Sequence, residues 1–251
     1  MYKIYTNTEI LGKNLIYLPK CHSTNDIASE LLKKENLDEG SIIITDHQES
    51  GRGQRGNQWL ATAQQNLTFS TIFEPQFLNI ADNFYLNIFI SLAIRDFLST
   101  ILGNSVKIKW PNDIYYQNSK ICGILIENFL KGHHISQSIV GIGLNINQNE
   151  FSIVNATSLY QITNQRYNLE GCLNNLIDHL EKRYLQLRNL DLKNLKMEYY
   201  KNMYWFAESR IFKSDHEFEG SITGIDDCGK LQIMIDNDIV TFDLKEVTFI
   251  R

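Results

Sequence analysis

The chain has 251 residues, of which 43% are hydrophobic, 21% charged and 11% aromatic, the proportions of an ordinary folded globular protein. Net charge is −5, from 24 basic and 29 acidic side chains, which argues against a protein that lives on a phosphate backbone. Three prolines and 14 glycines exclude collagen-like repeats and linker-rich disorder. Cysteines at 21, 122, 172 and 228 stand too far apart for a zinc site or a disulfide framework, and they suit a reducing cytoplasm.

In chain order, the first twenty residues lack the unbroken apolar run of a signal peptide and carry Glu9, where a transit peptide avoids acid. Asn25 is placed to cap a helix from Asp26 to Lys34, with Ile27, Leu31 and Leu32 inward. SIIITDHQ (41–48) reads as a strand, and LTFSTIF (67–73) as a second, with Leu67, Phe69, Thr71 and Phe73 on one side. A helix follows from about Asn83 to Leu102. It is apolar over more than half its circumference, but Asn87, Ser91, Arg95 and Asp96 interrupt it, so a buried helix is expected and not a membrane span. VKIKW, KICGILIE and SIVGIGLNIN are three further strands. Residues 168–205 are helical by spacing, and 207–251 turn to short strands with turns at Asp226–Gly229 and Asp236–Asp238. That order predicts an α+β fold: a mixed-sheet main domain with packed helices over 1–205, then a small β barrel over 206–251.

Three segments can carry chemistry. GRGQRGNQW (51–59) sets three glycines beside two arginines, so the backbone can approach a ligand closely and the cations can meet phosphate or carboxylate. It fits neither the dinucleotide fingerprint nor the phosphate loop that ends in Lys-Ser or Lys-Thr, and a mobile surface loop has the same composition. In KIKWPND (107–113), strand alternation puts Lys107 and Lys109 on one face until Pro111 stops the ladder. Such lysines face solvent or hold a cation over a bound anion, and spacing does not choose. In VGIGLNIN (140–147), one face carries Gly141, Gly143, Asn145 and Asn147. Same-face glycines cost packing, so either a flat ligand lies on bare backbone or another chain segment crosses there; Gly123 extends the same floor. The six histidines, including His133–His134 in a hairpin turn, lack metal-ligand spacing, and no serine or cysteine shows a nucleophile's context.

With these segments in place, the sequence resembles the biotin–protein ligases. The resemblance rests on STN at Ser23–Asn25, Gln48 followed by GRGQRGNQW, KWPND at Lys109–Asp113, KICGILIE and GIGLNIN, in the family's order over roughly residues 20–150. The segment EFEGSITGID…GKLQI…FDLKEVTFIR is more loosely similar to the family's small SH3-like barrel. The resemblance implies activation of biotin by MgATP to biotinyl-5′-AMP, then transfer to a lysine of a biotin carboxyl carrier protein or domain of a carboxylase. It implies Lys109 and Arg52 as catalytic residues, and Ser23, Thr24, Asn25, Gln48, Arg52, Gly53, Gln54, Lys109, Gly123 and Gly143 around biotin. Arg55, Trp59, Asn112 and Asn145 fall to ATP or the adenylate, with no metal ligand assigned. Neither nucleic acid nor membrane is expected as a partner, and a homodimer is left open. Gln54 and Asn57 stand where many members carry arginine. Only 22 residues precede Ser23, too few for the winged helix of the DNA-binding members, so the expectation is an enzyme without repressor function. A lipoate or octanoate ligase or transferase of the same fold is the nearest alternative, and a non-catalytic biotin-binding module the next. The first would share the fold and a lysine near the carboxylate; the second would leave Arg52 and Lys109 without a purpose.

Overall fold

The computed structural model describes residues 2–34 and 37–250, with the backbone alone at Arg55. Seven strands form one mixed sheet: β1 (Leu15–Leu18), β2 (Ile42–Thr45), β3 (Leu67–Phe73), β4 (Val106–Lys109), β5 (Asp113–Tyr116), β6 (Ser119–Lys131) and β7 (His134–Leu144). Their spatial order is β1-β2-β3-β7-β6-β5-β4. β1 and β2 are parallel, joined through helix α1 (Thr24–Lys33), and every other neighbouring pair is antiparallel.

A side-chain period of two sorts each central strand between two packed faces. Leu67, Phe69 and Phe73 of β3 join Ile42 and Ile44 of β2 in the main core, with α2 (Phe84–Leu102) and α4 (Leu169–Arg188). Ile43, Ile72 and Ile139 point the other way and pack with Ala28 of α1. The one-sided alternation expected of β3 is therefore too simple. All seven of its residues are buried because α1 covers the second face.

The cap of α1 also differs from the sequence reading. Ser23, extended at φ −156°, caps the helix, and its hydroxyl accepts from Asp26 N. Asn25 lies inside the first turn, and its amide is spent on the sheet. By length and composition α2 could cross a membrane, yet 11 of its 19 residues are buried inside the protein. It is a core helix. The helical stretch expected over 168–205 breaks into α4 and α5 (Leu192–Asn202) at Leu190, whose φ is +55°. Asp191 then receives Gln186 Nε2 and Asn194 Nδ2, short polar contacts that compete with continued helix. β1, β5 and the single-turn helix α3 (Leu159–Thr163, numbered by chain order) are elements that sequence pattern did not mark.

The C-terminal region forms a five-stranded antiparallel sheet: β8 (Ser209–Lys213), β9 (Glu217–Ile225), β10 (Leu231–Ile235), β11 (Asp238–Phe242) and β12 (Thr248–Phe249), in the order β11-β10-β9-β8-β12. Asp236 and Asn237, both at positive φ, make the two-residue turn between β10 and β11. Its interior is Phe212, Ile222, Ile225, Leu231, Ile233, Phe242 and Val247, continuous with the core of the larger sheet through Trp205, Tyr204 and Trp110. Val240, a residue the alternation points inward, is 38% exposed, because β11 is an edge strand whose residues 238–241 all face solvent.

One contact between the sheets depends on a residue without a side chain. Gly229 sits at φ +82°, its carbonyl accepts Trp110 Nε1 at 2.8 Å, and a Cβ there would lie 2.2 Å from Phe84 Cδ2. Gly229→Ala should therefore destabilise the fold by about 1–3 kcal/mol, the usual cost of overpacking. For a chain of this size that lowers the thermal midpoint by about 2–4 °C per kcal/mol. Calorimetric unfolding checks it, and an unchanged midpoint would show that the two sheets do not rely on this approach.

Candidate functional site

Cross-strand register builds the site. Thr68 of β3 pairs with Gly143 of β7, Gly143 with Gly123 of β6, Gly123 with Asp113 of β5, and Asp113 with Lys109 of β4. Directly paired residues share a face, so these five form one transverse row on the α1 side of the sheet. The next row is Ser70, Gly141 and Leu125. Above them lies a cavity of about 390 Å³, within the range of small-ligand sites, lined by the first row, by Gly141 and Leu125 of the second, by Ser23–Asn25, Gln48, Arg52–Gln54 and Asn57–Trp59, and by Leu244, Lys245 and Val247–Phe249 of the C-terminal region. Sequence-singled residues from four separate segments therefore meet in one place.

The glycine floor is covered by side chains, not by a crossing backbone. A Cβ on Gly143 would lie 2.2 Å from Trp59 Cε2, and one on Gly141 would lie 2.3 Å from Asn25 Oδ1. Trp59 lies across Gly143 and touches the Gly123 position, and its buried Nε1 has no hydrogen-bond partner among the described residues. The loop that delivers it doubles back: Gly53 N donates to Asn57 O (2.7 Å) and Trp59 N to Gly51 O (2.9 Å), around a 3₁₀ turn at Gln54–Gly56. Gly56 is at φ +84°, and a Cβ on Gly51 would lie 2.4 Å from Trp59 O. The hairpin needs those glycines.

At one end, polar side chains hold each other in place. Thr24 N donates to Gln48 Oε1 (2.8 Å), Ser70 Oγ donates to Asn25 Oδ1 (2.6 Å), and Asn25 Nδ2 donates to Glu127 Oε2 (2.7 Å). At the other end is Lys109. Its ammonium lies 5.1 Å from the centre of the Tyr115 ring and 4.8 Å from that of Phe249, with no carboxylate partner among the described residues. Arg52 is different. It makes a two-pronged pair with Glu127, 2.9 Å on each side, and a 2.6 Å contact to Asp26. The hydrogen bonds to Glu127 hold its proton still more firmly than usual. Lys120 Nζ is paired to Asp113 Oδ1 at 2.6 Å and lies 5.8 Å from the Trp59 ring.

Gly53 and Gln54 line the cavity, and the Arg55 side chain lies outside the described residues. Asn112 lines it too, but its amide nitrogen donates to Ile124 O and so ties the β4–β5 turn to β6. Asn145 does not line it. Its Nδ2 donates to Thr157 O (3.0 Å), while its Oδ1 is buried without a partner among the described residues. Ser70, Lys120, Glu127 and Phe249 escaped the sequence reading. Lys120 stands three positions from Gly123, so strict alternation puts it on the opposite face; an extra residue on β6 at the Ile114/Tyr115 register shift turns it to the cavity. Cys122 gives no thiol chemistry here, since complete burial pushes its pKa far above the ordinary range.

The cleft thus joins a glycine floor, a polar grip at one end and, at the other, an ammonium with no carboxylate partner among the described residues. The chain belongs to the biotin/lipoate A/B protein ligase family, whose model matches residues 17–145. It is 28% identical over 230 residues to the bifunctional ligase/repressor BirA of Bacillus spizizenii, covering 89% of this chain and 70% of that one. It is 26% identical over 237 residues to the biotin--[acetyl-CoA-carboxylase] ligase of Mycobacterium tuberculosis, covering 91% and 86%. The biotin protein ligase of Aquifex aeolicus in complex with biotin and ATP superimposes with a TM-score of 0.78 at 28% identity, over 95% of this chain and 99% of that one.

The floor makes its own prediction. Gly143→Ala places a methyl inside the Trp59 ring, so the indole must leave the floor. Ligand-free protein should then show red-shifted tryptophan emission and lose about 1–3 kcal/mol of stability. The shift should vanish when Trp59→Phe is added. Unchanged emission in Gly143→Ala would show that the indole does not rest there.

Proposed function

We propose that this protein is a biotin–protein ligase. A biotin carboxylate oxygen attacks the α-phosphorus of MgATP, the bond to the bridging oxygen breaks, and pyrophosphate leaves with that electron pair. The ε-amine of a lysine on an acceptor protein then attacks the acyl carbon, AMP departs, and the amine's proton is released. The acceptor is a biotin-accepting protein, and in the finer reading a carrier domain of a biotin-dependent carboxylase.

One observation carries the reading: Lys109 lies in the same transverse row as Gly143 and Gly123 and has no carboxylate partner among the described residues. A carboxylate and a phosphate repel, so catalysis is mainly alignment and charge compensation. An ammonium held between two rings is available to both anions. The ring system of biotin lies along the glycine floor, with Ser23, Thr24, Asn25 and Gln48 at its polar head. Gly53 and Gln54 border it from the loop, and Trp59 moves with the loop as the ligand enters. Arg55 serves the adenylate, Asn112 holds the turn that carries Lys109, and Asn145 supports the segment behind the nucleotide.

Among the described residues no group of three metal-ligating side chains occurs, and Asp113 is the one carboxylate lining the cavity. That donor set fits a magnesium ion that arrives on ATP and is held mainly by phosphate oxygens, the usual manner for this ion. Residues 1–205 form the ligand-binding domain and 206–251 a small C-terminal domain that contributes Phe249. Unpaired cysteines suit a reducing compartment, and the reading places the protein in the cytoplasm.

Biotin-dependent exchange of labelled pyrophosphate into ATP tests substrate and reaction together. Exchange with biotin that lipoate neither supports nor inhibits is expected; exchange with lipoate alone would overturn the assignment. Within that assay, Lys109→Gln should slow exchange by roughly 10²–10³, the effect of losing one preorganised charge contact, or about 3–4 kcal/mol. Lys107, one strand period away and outside the cavity lining, is the control; Lys107→Gln should do far less. Near-normal exchange by Lys109→Gln would remove the central role given to this ammonium.

A further inference from the structure

Arg52 was expected to meet the ligand, yet both terminal nitrogens of its guanidinium are engaged by carboxylates. Arg52 begins the 52–58 hairpin, where it bridges to Gln58. Its two terminal nitrogens donate to the two oxygens of Glu127 at 2.9 Å, and one of them lies 2.6 Å from Asp26 Oδ1. Glu127 sits on β6, two and four residues beyond Leu125 and Gly123, so it shares the face of the glycine floor. Its Oε2 also accepts Asn25 Nδ2 at 2.7 Å, and Asn25 Oδ1 in turn accepts Ser70 Oγ above Gly141. One carboxylate thus joins the base of the loop to the side chain that covers half of the floor.

We infer that Glu127, assisted by Asp26, is a positioning residue: it latches the 51–59 loop through Arg52 and couples loop closure to the orientation of Asn25 in the ligand site. This rests on the biotin-ligase reading for its kinetic consequences, but the latch itself rests on the contacts among Arg52, Glu127, Asp26 and Asn25. A two-pronged arginine–carboxylate pair fixes direction as well as distance. A loop held at its base stays near the cleft mouth when Trp59 leaves the floor, and it limits water entry while a hydrolysable mixed anhydride exists. A ligand that draws the Asn25 amide away from Glu127 leaves that carboxylate wholly to Arg52, and the loop then closes more firmly. Arg52 is on this account a latch, not a group that touches the reacting atoms.

The test uses the full-length protein and the variants Glu127→Gln, Arg52→Gln, Asp26→Asn and the Glu127→Gln/Arg52→Gln double. Without ligand, trypsin should cut the 51–59 segment of Glu127→Gln several-fold faster than the wild type, with the thermal midpoint little moved. In pyrophosphate exchange, Glu127→Gln should raise the KM for biotin about tenfold, the scale of a charge-assisted hydrogen bond at a partly exposed site, while kcat falls less than about threefold. The double variant should be no worse than the poorer single one, because residues acting as a unit are non-additive. Asp26→Asn should shift the same quantities less; it stands in if Glu127→Gln does not fold. Additive single effects, an unchanged cleavage rate, or a large kcat loss at constant KM would each overturn the latch. A wild type without biotin-dependent exchange would instead overturn the biotin reading, and the ligand-free cleavage comparison would still decide the latch.

Discussion

Register is the constraint on which the cleft depends. Thr68, Gly143, Gly123, Asp113 and Lys109 share one row only because five strands pair without slipping between those positions. A one-residue shift of any strand would turn its contribution to the packed face beneath. That face carries Val140, Ile142, Leu144 and Ile124 in the main core, so a slip would expose them and bury a glycine or a lysine in their place. The hydrophobic core under the sheet therefore holds the geometry of the cleft above it. Bare backbone at 123, 141 and 143 then leaves space that any larger residue would fill, and the protein fills it with Trp59 and the amide of Asn25.

Charge is distributed along the cleft by the same logic. Arg52, Lys109, Lys120 and Lys245 border it among the described residues, and the first three are treated differently. Arg52 is matched against Glu127 and Asp26, Lys120 against Asp113, and Lys109, among the described residues, against aromatic faces. A ring face attracts an ammonium without supplying a negative charge, so it steadies the side chain and leaves its field largely uncancelled. Of these three, Lys109 is consequently the one where an arriving anion gains most. At Arg52 or Lys120 an anion would first have to compete with a carboxylate at 2.9 Å or less.

The sequence was most legible where a pattern needs only local physics. The bounds of β3, the extent of α2 and the hairpin turn at 236–237 follow from alternation, apolar circumference and turn chemistry, while the turn expected at His133–His134 falls one residue earlier, at Gly132–His133. The main elements of the cleft were legible too, because glycines on one face of a strand have no local reason to be there. What escaped was set by distant partners. Ser23, not Asn25, caps α1, since the Asn25 amide has better partners on β3 and β6, a hundred residues away in one case. Lys120 reaches the cavity through a register shift invisible to strict alternation. The acidic partners of Arg52 could not be foreseen from the loop, since Asp26 reads as a first-turn helix residue and Glu127 as the end of an apolar strand.

The C-terminal sheet gains its meaning from where it touches this arrangement. Phe249, the last residue of β12, stands 4.8 Å from the Lys109 ammonium, and it is held there by Trp205 at 5.4 Å and Phe212 at 5.2 Å between ring centres. Trp205 itself stacks on Tyr204 at 4.8 Å, and Tyr204 N donates to Ile108 O beside Lys109. One chain of aromatic contacts therefore runs from the interior of the small sheet to the strand that carries the unneutralised cation. A sheet of five short strands buries too little apolar surface to be strongly stable alone, and sharing its core with Trp110, Tyr204 and Trp205 offsets that deficit. The same sharing lets the small sheet set the environment of Lys109. Its packing and its placement of Phe249 cannot be varied independently, so stability of the tail and the electrostatics of the cleft are linked through one ring.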